Sequence, residues 1–342
     1  MRRVAAVETY TPSLDELRNL VEGELDEFLR ARAGALPEAS PMIEEISALI
    51  GAGGKRIRPA FCYWGYRAAG GTHCDAIVRA AASLELLHTF AIVHDDIMDG
   101  SDERRGVATV HVRHGVGVGI LVGDLALVLA DELFMTAGFD AATTLRGFGS
   151  YSVMREEVIS GQHMDVVAAN RIDVSEEHAR RIAVLKSGRY SIEKPLVIGA
   201  ALAGASDGFG EGLSRFGDPL GEAFQMRDDI LGTFGDRVSV GKPVDSDIRE
   251  GKRHVLYAKT RALLGDGDRA RFEELWGAAD LTTEEVDTLR GLIDSSGARA
   301  EIESEIDHRW SEARSVLEET DIPPDARSAL EDLGRQAVRR RV

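Results

Sequence analysis

Apolar residues along this chain recur at helical spacing, and the alternating runs that mark strands are scarce. Ser13, with Glu16 three residues on, predicts a capped amphipathic helix over 13–30. Pro41 opens a short helix that stops in Gly51-Ala52-Gly53-Gly54, and Arg58-Pro59 marks the start of the next. A mostly apolar helix is expected from Asp75 to about Met98, and another over Gly115 to Thr136. Further helices are expected at 142–168, 175–203, 209–233 and 247–264. Three more follow near 282–293, 297–319 and 324–340, the last after Pro323-Pro324. No short-period repeat, low-complexity tract or separating linker is evident. The helices over 75–98 and 209–233 are apolar nearly all round, which suits the centre of a large bundle. Each carries an acidic cluster near its C-terminal end, so both clusters are expected at one mouth of a deep, apolar-walled cavity. The expected fold is all-α, a large single-domain helical bundle over 1–342. Its motif-bearing core is about 42–260, and its C-terminal helices lie over 261–342.

Composition supports this reading. Hydrophobic residues make up 44% and charged residues 29%, as in a soluble globular protein, and aromatics only 6%. The formal net charge of −17 argues against nucleic-acid binding, where basic stripes are expected. It also repels a polyanionic substrate at long range, so any such site needs a locally reversed field. Cys62 and Cys74 are too few for a disulfide framework and lack zinc spacing, so both are read as reduced packing residues of a cytoplasmic protein. Met1 to Tyr10 lacks the apolar core of a signal peptide. The most apolar run, Gly115 to Leu133, is interrupted by Asp124 and Asp131, and is read as a buried helix and not an integral membrane segment.

The candidate chemistry centres on Asp95-Asp96-Ile97-Met98-Asp99. On a helix Asp99 falls about 40° from Asp95, and Asp96 about 100° away. Three like charges at a helix C-terminus oppose each other and the dipole, an arrangement that makes sense if Mg²⁺ bridges them to phosphate oxygens. A solvated acidic helix end is the plainer alternative for one cluster alone. An EF-hand is excluded by Ile97 and Gly106, and a P-loop by Leu49 and Arg56. A second pair, Asp228-Asp229, follows Gln225 by one turn, and Asp236, Lys242 and Lys252 come after it. His88, seven residues before Asp95, faces the same way to within about 20°.

The ordered set is more specific than any part. It runs through Gly54-Lys55-Arg56-Ile57-Arg58-Pro59, Leu87-His88-Thr89, His94-Asp95-Asp96-Ile97-Met98-Asp99 and Arg104-Arg105-Gly106. Gly161-Gln162-His163-Met164-Asp165, Lys186-Ser187, Phe224-Gln225 with Asp228-Asp229, and Gly241-Lys242-Pro243 complete it. This series resembles the trans-type polyprenyl diphosphate synthases from about residue 42 to 260, and most of all the short-chain geranylgeranyl diphosphate synthases. The resemblance implies an isoprenoid-synthase helical bundle, a homodimer, and Mg²⁺-dependent condensation of an allylic diphosphate with isopentenyl diphosphate. By position, Asp95, Asp96 and Asp99 resemble the first metal site, and Asp228 and Asp229 the second. Lys55, Arg58, His88 and Arg105 resemble the isopentenyl diphosphate contacts. Arg104, Lys186, Ser187, Gln225, Lys242 and Lys252 resemble the allylic contacts. Gly232 stands where the family's second motif usually ends in a third Asp, with Asp236 as a candidate replacement, and Ser187 replaces the usual Thr.

The resemblance makes residues just before the first motif the limit on product length. Phe90 and Ala91, with no insertion between Asp96 and Asp99, resemble synthases of the C20 product, geranylgeranyl diphosphate. Phe90 falls about 140° from Asp95 on an ideal helix, so an ordinary core role stays open for it. The open alternatives are another chain length (C15, or C25 and longer), a class I terpene cyclase on the same scaffold, and a non-catalytic partner subunit. The tail Arg339-Arg340-Arg341 reads as a frayed, solvated end.

Overall fold

The computed structural model describes residues 10–169, 171–235 and 245–339. Asp236, Lys242, Arg340 and Arg341 therefore lie outside the described residues. The chain starts on α1 (Leu14–Ala35), where the Ser13 hydroxyl accepts the Glu16 N–H and the Glu16 carboxylate accepts the Ser13 N–H. Such a cap contributes about 1 kcal/mol. A 3₁₀ turn (Pro37–Ala39) leads into α2 (Ser40–Gly51), then α3 (Ile57–Ala68) and α4 (Asp75–Asp99). A small hairpin, β1 (Glu103–Arg104) against β2 (Val107–Ala108), is antiparallel with Arg104 opposite Val107. Then come α5 (Val110–His114), α6 (Val116–Met135) and α7 (Ala141–Ala169).

The helix expected over 175–203 is three pieces: α8 (Glu176–Ala183), a π-helical segment (Val184–Glu193) and α9 (Lys194–Leu202). Pro195 has no N–H to return to the carbonyl of Ser191, which removes one α-helical bond where the register changes. α10 (Asp207–Phe234) follows. The single helix expected over 247–264 is also divided, into α11 (Ser246–Arg249) and α12 (Val255–Leu263). Gly251 takes a positive φ of 67° at the break. The chain ends on α13 (Asp266–Leu275), α14 (Thr283–Ser296), α15 (Ala298–Glu319) and α16 (Pro324–Val338). α13 escapes a pattern reading because it is mostly polar and buries only Phe272 and Leu275.

The all-α expectation holds, with one two-stranded hairpin as the sheet content among the described residues. α4 and α10 are central. α4 packs on α6, α3 and α1, and α10 packs on α15, the π segment and α9. α4 has the length and apolarity of a membrane span, but 67% of its most apolar window is buried inside the protein. α6 corrects the buried-helix expectation. Gly119, Val122, Ala126, Ala130 and Leu133 are buried, whereas Val116, Ile120, Leu121, Val128 and Met135 are exposed. The run is apolar on both faces, and only one face meets the bundle.

Candidate active site

A cavity of about 580 Å³ opens between the C-terminal half of α4, α7, the π segment and α10. Its lining combines apolar residues, Phe90, Ala91, Val158, Ile159 and Ala179 among them, with the charged Asp95, Asp165, Lys186, Asp229, Asp247 and Lys252. That mix of an apolar body and a few convergent polar groups suits a substrate site.

The α4 side is a charge lattice. Lys186 Nζ lies 2.9 Å from Asp95 Oδ1 and 2.6 Å from Asp165 Oδ2. Lys252 pairs with Asp99 and lies 3.7 Å from Asp165. Gln162 Nε2 donates to Asp95 Oδ1 at 2.8 Å. Asp96 is buried and accepts Arg104 Nε at 3.0 Å. The wheel reading holds: Asp95 and Asp99 share the lysine face, and Asp96 turns aside to Arg104. Burial pulls the Lys186 ammonium down, but Asp95, Asp165 and Asp99 outweigh it and hold it above the usual lysine range. Burial, then Asp95, pushes Asp99 up to about 6 despite Lys252. Asp165 is held low because Lys186 and Lys252 overcome its burial.

Local backbone choices place these cations. Lys186, Ser187 and Tyr190 all sit on the π segment, a helix type that recurs at functional sites. The segment runs against α7 at Gly161, where a Cβ would come within 2.5 Å of Lys186 N. Arg105 and Gly106 form the two-residue hairpin turn with φ of 52° and 81°, the geometry of a type I′ turn. Arg105 thus adopts a left-handed conformation, costly for a non-glycine residue. It donates to the carbonyls of Leu49 and Gly53, which pin it over the Gly-rich turn before α3.

Arg105 and the neighbouring Arg58 and His88 form a second, basic corner. Arg58 lines the cavity, donates to Ser191 Oγ at 2.8 Å and lies 4.4 Å over the Tyr190 ring. His88 Nδ1 is 3.4 Å from the Tyr190 hydroxyl. Burial, then Arg58, Arg105 and Arg104, holds the His88 imidazole well below the usual histidine range, so it is neutral at pH 7. Lys55 lies elsewhere: it is exposed and lines a separate pocket of about 160 Å³ with Arg18 and Arg56.

The α10 side is built differently. Asp229 is buried; its Oδ1 accepts Gln225 Nε2 at 2.7 Å and its Oδ2 accepts the Val255 N–H at 3.3 Å. Burial pushes it up to about 6, with His254 and Gln225 opposing. Asp228 is half-buried and is not among the residues lining the cavity. Gln162, Asp165 and Tyr190 are site residues to which the sequence reading gave no role. The spacing of Gln162 and Asp165, one helical turn apart, was the available signal. Among the described residues, no three His, Cys, Asp or Glu side chains form one metal-ready cluster, and on the α4 side Lys186 and Lys252 hold Asp95 and Asp99.

A family model described as polyprenyl synthetase matches residues 40–293. The chain is 36% identical to a geranylgeranyl diphosphate synthase of Sulfolobus acidocaldarius over 285 residues, 78% of this chain and 82% of that one. It is 35% identical to a geranylfarnesyl diphosphate synthase of Aeropyrum pernix over 275 residues, 79% of this chain and 84% of that one. The fold matches the crystal structure of a geranylgeranyl pyrophosphate synthase from Corynebacterium glutamicum, complexed with isoprenyl diphosphate and magnesium. The TM-score is 0.92 at 32% identity, covering 96% of this chain and all of that one.

Proposed function

The chain belongs to the polyprenyl synthetase family and is a prenyl-transferring enzyme, and on that premise we propose how its own residues serve the condensation of an allylic diphosphate with isopentenyl diphosphate. The observation that carries the reading is the lattice of Asp95, Asp99, Asp165, Lys186 and Lys252, most of it lining a largely apolar cavity. Carboxylates there already hold cationic groups, and an oxygen-only donor set suits Mg²⁺. Asp95, Asp96 and Asp99 would hold it on the α4 side, and Asp228 and Asp229 on the α10 side. When bound, Mg²⁺ neutralises charge on a departing diphosphate.

Arg104, Lys186, Ser187, Gln225 and Lys252 serve the allylic diphosphate, with Lys242 joined to them by motif alone. Arg58, His88 and Arg105 serve isopentenyl diphosphate, with Lys55 at the outer side of the same turn. The C1–O bond of the allylic substrate breaks, and its electron pair leaves with the diphosphate. The double bond of isopentenyl diphosphate then attacks the cation, its diphosphate gripped by the basic corner. The released diphosphate takes the proton lost from the new chain. The apolar wall keeps water from quenching the cation. Arg58, His88 and Arg105 give a cyclase no evident use, which favours the condensing reading. The retained carboxylates on both sides likewise favour a catalytic chain over a partner subunit.

The product is the C20 chain, geranylgeranyl diphosphate. Phe90 and Ala91 on the cavity wall support this. The chain forms one domain and works in the cytoplasm as a homodimer, supported by the exposed apolar face of α6. Asp95→Ala tests the core of the reading. Mg²⁺-dependent incorporation of labelled isopentenyl diphosphate should fall below detection while the circular dichroism melt stays cooperative. Near-wild-type turnover would sink the metal assignment.

A further inference from the structure

Arg56 lies between Lys55 and Arg58 in sequence, but it does not line the large cavity. It is 4% exposed, and its backbone is left-handed, with φ of 50°. A non-glycine residue keeps that conformation only where its surroundings hold it. Here the side chain is the holder. Nε donates to Glu22 Oε1 at 3.1 Å, Nη1 to Glu85 Oε2 at 3.0 Å and Nη2 to the Ile50 carbonyl at 2.6 Å. Nη1 also reaches the Gly53 carbonyl at 3.5 Å. Glu85 is itself buried and sits one turn before His88 on α4. Leu49 and Ile50 lie in the last turn of α2, where the helical ladder leaves carbonyls open and positive groups are favoured. Arg105 takes the Leu49 carbonyl at 3.0 Å and shares the Gly53 carbonyl with Arg56. Both guanidinium groups lie against Gly54, where a Cβ would come within 2.8 Å of Arg56 Nη1 and 3.3 Å of Arg105 Nη2. Burial pulls the Arg105 guanidinium down, Glu85 opposes it, and Arg56, Arg104 and Arg58 add to the fall. Two like charges thus meet at one turn, and the buried Glu85 offsets them.

Resting on the assignment of Arg58, His88 and Arg105 to isopentenyl diphosphate, we infer that Arg56 is a positioning residue for that substrate, acting through Arg105. Paired with Glu85, it fixes the turn over 50–54, and the Gly53 carbonyl of that turn fixes the Arg105 guanidinium. The charge of Arg56 is already met by Glu85 and Glu22, so what it gives the basic corner is shape and not field.

The test is steady-state kinetics of the full-length protein, varying each substrate with the other saturating. Arg56→Lys keeps the charge, but one ammonium cannot meet Glu22, Glu85 and Ile50 at once. The KM for isopentenyl diphosphate should rise at least about tenfold, the scale of one charged hydrogen bond to a diphosphate. The KM for the allylic diphosphate and kcat should stay within about threefold, the pattern of lost uniform binding of one substrate. Arg56→Met combined with Glu85→Leu removes both buried charges and strands neither, a change that folded proteins commonly tolerate. It leaves the net charge of the corner unaltered and should give the same selective rise, so the test does not depend on one variant folding. Added to Arg105→Gln, Arg56→Lys should raise that KM by less than about threefold further, because its effect runs through Arg105. Wild-type kinetics in Arg56→Lys or in the double variant overturn the inference. So do equal rises in both KM values, a loss confined to kcat, or a full tenfold addition on top of Arg105→Gln. An Arg105→Gln protein with the wild-type KM for isopentenyl diphosphate overturns the basic-corner assignment itself, and this inference with it.

Discussion

The two acidic sides of the cavity solve one problem in opposite ways. On the α4 side, Asp95, Asp96, Asp99 and Asp165 meet three cations, Lys186, Lys252 and Arg104. On the α10 side, Asp229 is met by the Gln225 amide and the Val255 N–H, and Asp247 by a histidine beyond hydrogen-bond reach. The first side is a scaffold in which three cations already offset most of the charge of four carboxylates before a ligand arrives. On the second, Asp229 is held among the described residues by an amide and a backbone N–H, with His254 nearby. Both strategies leave a raised carboxylic acid: burial pushes Asp99 and Asp229 alike up to about 6.

The sharpest way to break this comparison is to remove one holder from each side. Lys186→Ala takes away a cation shared by Asp95 and Asp165. Preorganised charge at a reacting centre is commonly worth 10²- to 10³-fold in rate, and kcat should fall by about that much. Gln225→Leu removes one neutral hydrogen bond to a buried carboxylate. It should cost about 10- to 100-fold, in line with the 1.5–3 kcal/mol of a bond to a charged group. Steady-state kinetics with saturating Mg²⁺ distinguishes the two. Equal losses would show that the sides are not differently built.

Much of this asymmetry was legible in the chain, and the rest was hidden for physical reasons. Helical spacing located α4 and α10, and the Ser13–Glu16 box is where its sequence put it. The acidic clusters, Arg104 and His88 could be read because their partners lie within one or two turns or follow a known order. The π register of Val184–Glu193 was invisible because it depends on packing against α7 and α10, and residue types alone predict one long helix there. Asp247 was missed because it sits on a separate short helix well after Asp229, and only the fold brings both to one cavity. Lys55 was grouped with Arg58 by the family motif; in the structure the left-handed residue Arg56 (φ 50°) lies between them, with Lys55 exposed and Arg58 lining the cavity.

The α4 side also bears the wall proposed to limit the product, which gives a second, smaller perturbation. Phe90 lines the cavity and sits edge-on to His94, 4.9 Å between centroids. The 140° offset from Asp95 therefore does not remove it from the wall, because the cavity wraps around α4. Phe90→Ala should lengthen the product beyond C20, read by chromatography of the dephosphorylated alcohols, with kcat within about tenfold of wild type because no charged contact is lost. An unchanged product distribution would remove Phe90 as the floor.

The smallest effect concerns the basic corner, where burial acts on a base instead of an acid. His88 titrates well below 6.5 in the folded chain, because of burial first and the surrounding arginines next. Between its folded value and 6.5 the unfolded chain binds a proton that the folded chain does not. Its contribution to stability is therefore complete above pH 6.5 and is lost as pH falls through that window. Asp229 has the opposite sign: its raised value makes the folded chain bind the extra proton between the unfolded value of 3.8 and about 6, so acidification through that range favours folding. Comparing wild type with His88→Gln cancels the carboxylate terms common to both. On moving from pH 7.5 to pH 5.5, wild type should lose up to about 1 kcal/mol more stability than His88→Gln, the scale of one pH unit of linkage. Urea unfolding at the two pH values measures it. Parallel losses in the two proteins would show that the imidazole is not held neutral by its site.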